Sequence, residues 1–251
     1  MPSINARLRD SLTVLLGAAL LQGCSSLSGQ AISGDAEQNK PSANDAITTA
    51  TDARAATAAP EANPYLLAQA DYLPQIPAAV IANYQQALSA MRAQQWSQAR
   101  SLLNQVIDVA PQLSGAHLNL ALIAIEQQQW DLAASFADSA IRANSGNPYA
   151  HQTRGFIASK QGHFVAAEQH YQQALSLWPH YPTAHLNLAI LYELYRGELL
   201  QAHQHYLAYL ALEPSNSQAQ RWLASVEIKI KRAGLTLPPR DATASAAKES
   251  R

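Results

Sequence analysis

Ala99, Ala133, Ala167 and Ala202 recur at spacings of 34, 34 and 35 residues, and His117, His151 and His185 recur at 34 and 34. A period of this size means a helix-turn-helix unit stacked on copies of itself. Each unit leaves an apolar face that only its neighbour can cover, so the core forms between units and the stack grows in one dimension. The chain is therefore expected to be all-α, a solenoid of about four helix pairs whose concave face is available to hold another polypeptide.

Composition narrows the remaining classes. With 251 residues, 48% hydrophobic and 14% charged, and a formal charge of −1, the chain can bury one sizeable core. Its Lys and Arg residues are scattered apart from Lys229, Lys231 and Arg232 at a helix end, so no nucleic-acid partner is expected. No Gly-x-Ser-x-Gly, phosphate-cradling Gly loop or His-Glu-x-x-His occurs, and the acidic residues are sparse. Neither an enzyme nor a cofactor is expected. His117, His151 and His185 share one position in successive units, but stacked helices lie about 8 to 10 Å apart, too far for three imidazoles to meet one metal ion. His203 and His205 are two apart on a helix and do not face each other. These histidines are expected to pack.

The first 23 residues read as a targeting segment. Arg7 and Arg9 form a basic n-region, and Leu12 to Leu21 an uncharged apolar stretch too short to span a bilayer. The stretch ends at Leu21-Gln22-Gly23-Cys24, which resembles the lipobox of bacterial lipoproteins. That resemblance implies cleavage before Cys24 and acylation of Cys24, giving a stable membrane anchor. Cys24 is the sole cysteine of the chain, so no internal disulfide competes for it. Ser25 stands where an Asp commonly retains such lipoproteins at the inner membrane, so the resemblance implies the outer membrane, facing the periplasm. From Cys24 to Asn63 the composition is Ala, Ser, Thr, Asn, Asp and Gln, which cannot offset the entropy of ordering. This tether would place the folded part about 30 to 40 Å from the lipid. Residues 64–79 form an apolar lead-in with Tyr65, Leu66, Leu67, Tyr72 and Leu73, expected to pack on the N-terminal end of the array as a short helix or extended segment, the alternative being the last ordered part of the tether.

The repeats span 80–113, 114–147, 148–181 and 182–216. The third shows the pattern best, with Gly155, Ala158, Gly162, Phe164, Ala167, Tyr171, Ala174 and Pro179. Small residues at the eighth position (Ala87, Ala121, Gly155, Ala189) and at the twentieth (the Ala series) let paired helices approach closely. Large residues at the seventeenth (Trp96, Trp130, Phe164) pack near the turn, and Pro111, Pro179 and Pro214 stop the second helix. This pattern resembles the tetratricopeptide repeat. Three departures stand out: Gln86 and Ala90 replace bulky residues in the first repeat, Ser145 replaces Pro in the second, and the fourth carries one extra residue around Arg196-Gly197-Glu198. A capping helix follows over 217–232, with Ser217 and Gln220 as a capping box and Trp222, Leu223, Val226 and Ile230 as its apolar stripe. Gly234 ends it, and the tail 234–251 is expected to be disordered, except that Leu235-Thr-Leu-Pro-Pro239 could fold back into the groove.

The resemblance implies that the first helix of each repeat lines the concave face. Carried over residue by residue, the peptide-binding groove comprises Tyr84, Leu88, Met91 and Arg92 in the first repeat, and Leu118, Asn119, Leu122, Ile125 and Glu126 in the second. The third contributes Tyr149, Gln152, Thr153, Phe156 and Lys160, and the fourth Thr183, Leu186, Asn187, Ile190 and Glu193. Asn119 and Asn187 match a family position whose amide can bond a peptide backbone. The Lys and Arg set of carboxylate-clamping relatives is missing, so the expected ligand is an apolar helix or extended segment. Leu118, Leu122, Leu186 and Ile190 can equally pack between helices; Tyr149 and Phe156 are the strongest groove candidates. Lipid, tether and groove together imply a membrane-anchored scaffold or assembly factor of an envelope machine, such as a pilus, secretion or energy-transducing complex. The alternative is a regulatory adaptor of a cell-wall synthase or protease. Self-association is compatible with either.

Overall fold

The computed structural model describes residues 63–67 and 76–237. The targeting segment, Cys24, the tether up to residue 62, residues 68–75 of the lead-in and the tail from residue 238 lie outside the described residues.

Four helix pairs follow one another. They are α1 (Ala78–Arg92) with α2 (Trp96–Val109), α3 (Ser114–Glu126) with α4 (Trp130–Ala143), α5 (Pro148–Lys160) with α6 (Phe164–Leu177), and α7 (Pro182–Leu191) with α8 (Leu199–Leu212). A ninth helix, α9 (Ser217–Arg232), closes the stack, and no strand occurs among the described residues.

Small side chains set the spacing within each pair. Ala87, Ala121 and Ala189 at the eighth position and Ala99, Ala133, Ala167 and Ala202 at the twentieth are all 0% exposed. At Gly155 a Cβ would lie 2.7 Å from two ring carbons of Tyr171 and 3.1 Å from the Ala167 carbonyl oxygen, so the third pair closes only around glycine. The turns share one conformation. Gln94, Gln128, Gly162 and Gly197 all have positive φ, at 56°, 57°, 79° and 69°. The residue after each donates its N–H back into the helix just ended, from Gln95 to Ala90, Gln129 to Ala124, His163 to Ala158 and Glu198 to Tyr192, at 2.8 to 3.0 Å. This closure satisfies a terminal carbonyl and holds two glutamines in a left-handed conformation that costs each about 1 kcal/mol.

The extra residue of the fourth repeat is absorbed without breaking the helix. Tyr192–Arg196 form a π-turn at the end of α7, so the additional residue widens one turn and α8 resumes the register. Second helices stop with or without proline. In the second repeat Asn144 takes an extended conformation and its Oδ1 accepts from the Gly146 N–H at 2.9 Å, which reverses the chain where the other repeats have Pro.

The fourth-position histidines do more than pack. His117, His151 and His185 each donate from Nε2 to the carbonyl oxygen six residues earlier, that of Pro111, Ser145 and Pro179, at 3.0, 3.1 and 2.9 Å. Gln220 occupies the same register in α9 and donates to the Pro214 carbonyl at 2.8 Å. A side chain on each incoming helix thus pins the loop that leads into it.

First helices of successive repeats touch, α3 with α5 and α5 with α7, whereas no two second helices make a comparable contact among the described residues. The first helices therefore form the inner, concave layer and the second helices the outer one. The core divides along the stack. Residues from Ile76 to Ile157 form a mainly aliphatic cluster, with Leu103, Leu120 and Ile123 at its centre. A second cluster from Ala158 to Ile230 is built around Tyr171, Tyr192, Tyr206, Tyr209 and Trp222.

Helix α9 begins one residue earlier in its cap than the sequence reading has it. Asn216, not Ser217, is the N-cap: its Oδ1 accepts from the Ala219 N–H at 3.0 Å, and Gln220 is committed to the loop. Ala219, Trp222, Val226 and Ile230 are buried. Its charged face is not merely solvated. Lys229 Nζ lies 2.7 Å from Glu193 Oε1, and Glu227 Oε1 lies 3.3 Å from His203 Nε2. Beyond Gly234, Leu235 and Leu237 are 44% and 37% exposed, so the start of the tail is not seated in the groove.

Candidate docking face

All of the nineteen candidate groove residues except Glu193 lie on first helices, but they do not form an open apolar channel. Met91, Asn119, Leu122, Gln152, Phe156, Asn187 and Ile190 are buried, and Tyr84, Leu88 and Tyr149 are half-buried. Leu122, Ile190 and Phe156 pack between helices. The Phe156 ring sits 6.5 Å from Trp130, with Lys160 Nζ 5.4 Å above it. Burial lowers the Lys160 pKa from its ordinary value. Glu193 is committed elsewhere, its carboxylate accepting from the Tyr206 hydroxyl and from Lys229, each at 2.7 Å.

Polar groups on this face are treated in two ways. Asn119 Nδ2 donates to the Tyr84 hydroxyl at 2.8 Å, joining the first two repeats. Desolvation pushes the Tyr84 pKa well above the usual phenol range. Gln152 and Asn187 stand in the same relation one repeat pair later, separated by the same 35 residues. Neither amide atom of Gln152 or of Asn187, nor Thr153 Oγ1, makes a hydrogen bond within the structure. Gln152 and Thr153 are 0% exposed and Asn187 2%. A buried polar group without a partner costs about 1 to 3 kcal/mol, so this cluster is an expensive feature to keep.

Tyr149 is the centre of an aromatic cluster beside those amides. Its ring meets Tyr181 at 5.4 Å, Trp178 at 6.1 Å and Tyr65 at 6.1 Å, all edge to face. Trp178 and Tyr181 stack at 4.7 Å, flanking the loop between the third and fourth repeats. Asn63 Nδ2 donates to the Tyr149 hydroxyl at 2.8 Å. Residues 63–67 therefore reach the third repeat, and Tyr65 also lies near Tyr84 of the first, while Ile76 packs in the N-terminal cluster. Sequence reasoning missed Asn63, Tyr65, Trp178 and Tyr181 as members of this site. One signal was available: Asn-Pro-Tyr occurs at both 63–65 and 147–149. Both copies fold alike, with the Asn side chain accepting from the Tyr N–H at 3.0 Å and Pro at the first helical position.

Further polar chemistry lies where α7 meets α8. His185 spends its Nε2–H on Pro179, so its Nδ1 accepts, and the neighbouring His205 Nδ1, 3.0 Å away, is the donor. Burial first, and then the proximity of His185, push the His205 pKa down to about 4. Tyr192 stacks on His205 at 5.6 Å, and burial with the Glu168 contact pushes its hydroxyl up to about 12. Among the described residues no three His, Cys, Asp or Glu side chains gather to hold a metal ion, and no helix is long and apolar enough to cross a membrane.

Paired helices closed by small residues, a left-handed turn residue in each pair, an inner layer of first helices and a capping helix define a tetratricopeptide-type solenoid. The family model described as "Tetratricopeptide repeat protein 21 C-terminal ARM domain" matches residues 30–199, and the chain belongs to that family. Among solved structures, PilF of Pseudomonas aeruginosa superposes with a TM-score of 0.56 at 21% identity, over 61% of this chain and 70% of that one. The crystal structure of MamA protein gives 0.54 at 16% identity, over 67% and 88%, and a second MamA structure 0.52 at 17%, over 63% and 88%. At these identities the likeness shows the shared fold. No curated protein matches the sequence significantly.

Proposed function

We propose that this protein is a membrane-anchored docking scaffold whose concave face, over the third and fourth repeats, binds a segment of a partner protein. The observation that carries this reading is the trio Gln152, Thr153 and Asn187, whose side-chain donors and acceptors are buried on the concave-side helices without hydrogen-bond partners. Once what covers these groups is displaced, an extended or helical segment supplies backbone N–H and C=O groups that such amides pair with, and Tyr149, Trp178 and Tyr181 supply an aromatic wall for its apolar side chains. The Leu21-Gln22-Gly23-Cys24 sequence supports attachment at Cys24 to the outer membrane, facing the periplasm. Anchoring raises the effective concentration of a modest site for a partner held at the same membrane. The role this suits best is an assembly factor for an envelope machine such as a pilus, secretion or energy-transducing complex.

Photo-crosslinking in cells from position Tyr149, with mass spectrometry of the product and Cys24→Ser as the mislocalised control, tests it. One dominant envelope partner, lost in the control, is the expected result. Capture of a cell-wall synthase or protease overturns the assembly role in favour of regulation; no specific product overturns docking at this face.

A further inference from the structure

Residues 63–67 are a single helical turn whose shape is set locally. Asn63 Oδ1 accepts from the Tyr65 N–H at 3.0 Å, and the Asn63 carbonyl accepts from the Leu66 and Leu67 N–H groups at 3.0 and 3.2 Å. Pro64 has no N–H to lose at the first helical position. Asn63 is 6% exposed and bonds Tyr149, Tyr65 meets the same ring, and Leu67 is 63% exposed. The segment is a single turn, with Leu67 in solvent and Leu66 half-buried, and its described side-chain contacts include the Asn63 hydrogen bond and the Tyr65 ring pair.

Where it sits matters as much as how. Tyr149 precedes Gln152 and Thr153 by three and four residues on α5, so all three lie on one helix face. The turn therefore covers one end of the stripe that carries the unpaired polar atoms. Its chemistry also matches the site. Asn63-Pro64-Tyr65 repeats the Asn147-Pro148-Tyr149 start of α5, the two turns fold alike, and their tyrosines meet edge to face.

We propose that residues 63–67 are an internal ligand of the concave face, and that a partner gains the face by presenting the same chemistry, an Asn-capped, Pro-initiated turn with an aromatic at its second helical position. This rests on the docking reading above and adds to it the identity of the resident occupant and the motif that displaces it. Affinity for an external ligand is reduced by the fraction of molecules in which the site is free, so releasing the internal turn must tighten binding.

The test uses the full chain and a fluorescein-labelled synthetic peptide of residues 59–71. The Asn63→Ala/Tyr65→Ala chain is expected to bind this peptide about tenfold more tightly than the unaltered chain does. The same peptide carrying Asn63→Ala and Tyr65→Ala is expected to lose binding to the released chain. Adding Tyr149→Phe to the released chain, which keeps the ring and removes the hydroxyl partner, is expected to weaken the peptide several-fold at unchanged melting temperature. Equal affinity of the released and unaltered chains, or no binding to a released chain that melts normally, overturns the proposal. Crosslinking from Tyr149 separates the two readings: a released chain that captures its envelope partner but not the peptide removes the internal ligand and leaves docking standing. A chain that binds the peptide yet captures no partner does the reverse.

Discussion

The first two repeats and the last two use one register to different ends. In the N-terminal half Tyr84 and Asn119 satisfy each other, and the core around them is aliphatic. In the C-terminal half the equivalent Gln152 and Asn187 are left without partners, and the core is built from tyrosines whose hydroxyls need acceptors and donors. Tyr192 donates to Glu168 at 2.8 Å, Tyr206 to Glu193 at 2.7 Å, and Tyr209 accepts from Asn216 at 2.8 Å. The N-terminal half spends its register on cohesion, and the C-terminal half carries polar groups that cohesion alone does not require. An aliphatic core fails when volume is removed, a tyrosine core when a proton or a charge is.

Four experiments press on that contrast. Leu103 is 0% exposed in the aliphatic cluster, so Leu103→Ala should cost about 3 kcal/mol by denaturant titration, with the same loss at pH 7.5 and pH 5.5. Glu193→Ala removes an acceptor of the buried Tyr206 hydroxyl and frees α9 from its lysine contact. A loss of about 2 kcal/mol is expected, reduced from the buried-pair figure because the Lys229 side chain is 37% exposed.

Acidification should act on the C-terminal half. The His205 pKa lies at about 4, below its ordinary value near 6.5 in the unfolded chain, so the folded state binds fewer protons between those values. Stability is therefore full above about pH 6.5 and falls as pH drops toward 4, by about 1 to 2 kcal/mol between pH 7 and 5 from this group. His205→Phe should flatten the melting curve's pH dependence; an unchanged slope would place the sensitivity elsewhere. The smallest effect is the most discriminating. Asn119→Ala should cost about 1 kcal/mol by leaving Tyr84 unpaired, whereas Asn187→Leu should be neutral or slightly stabilising while reducing crosslinking from Tyr149. Equal losses at the two positions would show that Asn187 is a structural group.

What the sequence makes legible follows the range of the interactions. The alanine and glycine positions, the turn at Gly162 and the stripe of α9 all encode contacts within a unit or with the next one, and these repeat every 34 residues. The contact from Asn63 to Tyr149 spans 86 residues and occurs once, so no period announces it. The fourth-position histidines are legible as periodic yet not as hydrogen-bond donors, because their acceptors are backbone carbonyls that carry no residue signature. Burial of the groove positions was equally hidden: helix register assigns Gln152 to a face but not what comes to lie over it. The capping helix shows the same limit at shorter range, since Asn216 and Ser217 are both good N-caps and backbone geometry chooses between them.

The π-turn at Tyr192–Arg196 bears on how such an array can lengthen by gene duplication. Copying a 34-residue unit from the middle of the stack reproduces its pitch. Copying the last unit propagates a 35-residue step with a widened turn in every descendant, and with it the acidic Glu193 that α9 must meet with a lysine. The terminal repeat is thus a poor template for growth, and new units would enter this lineage upstream of it.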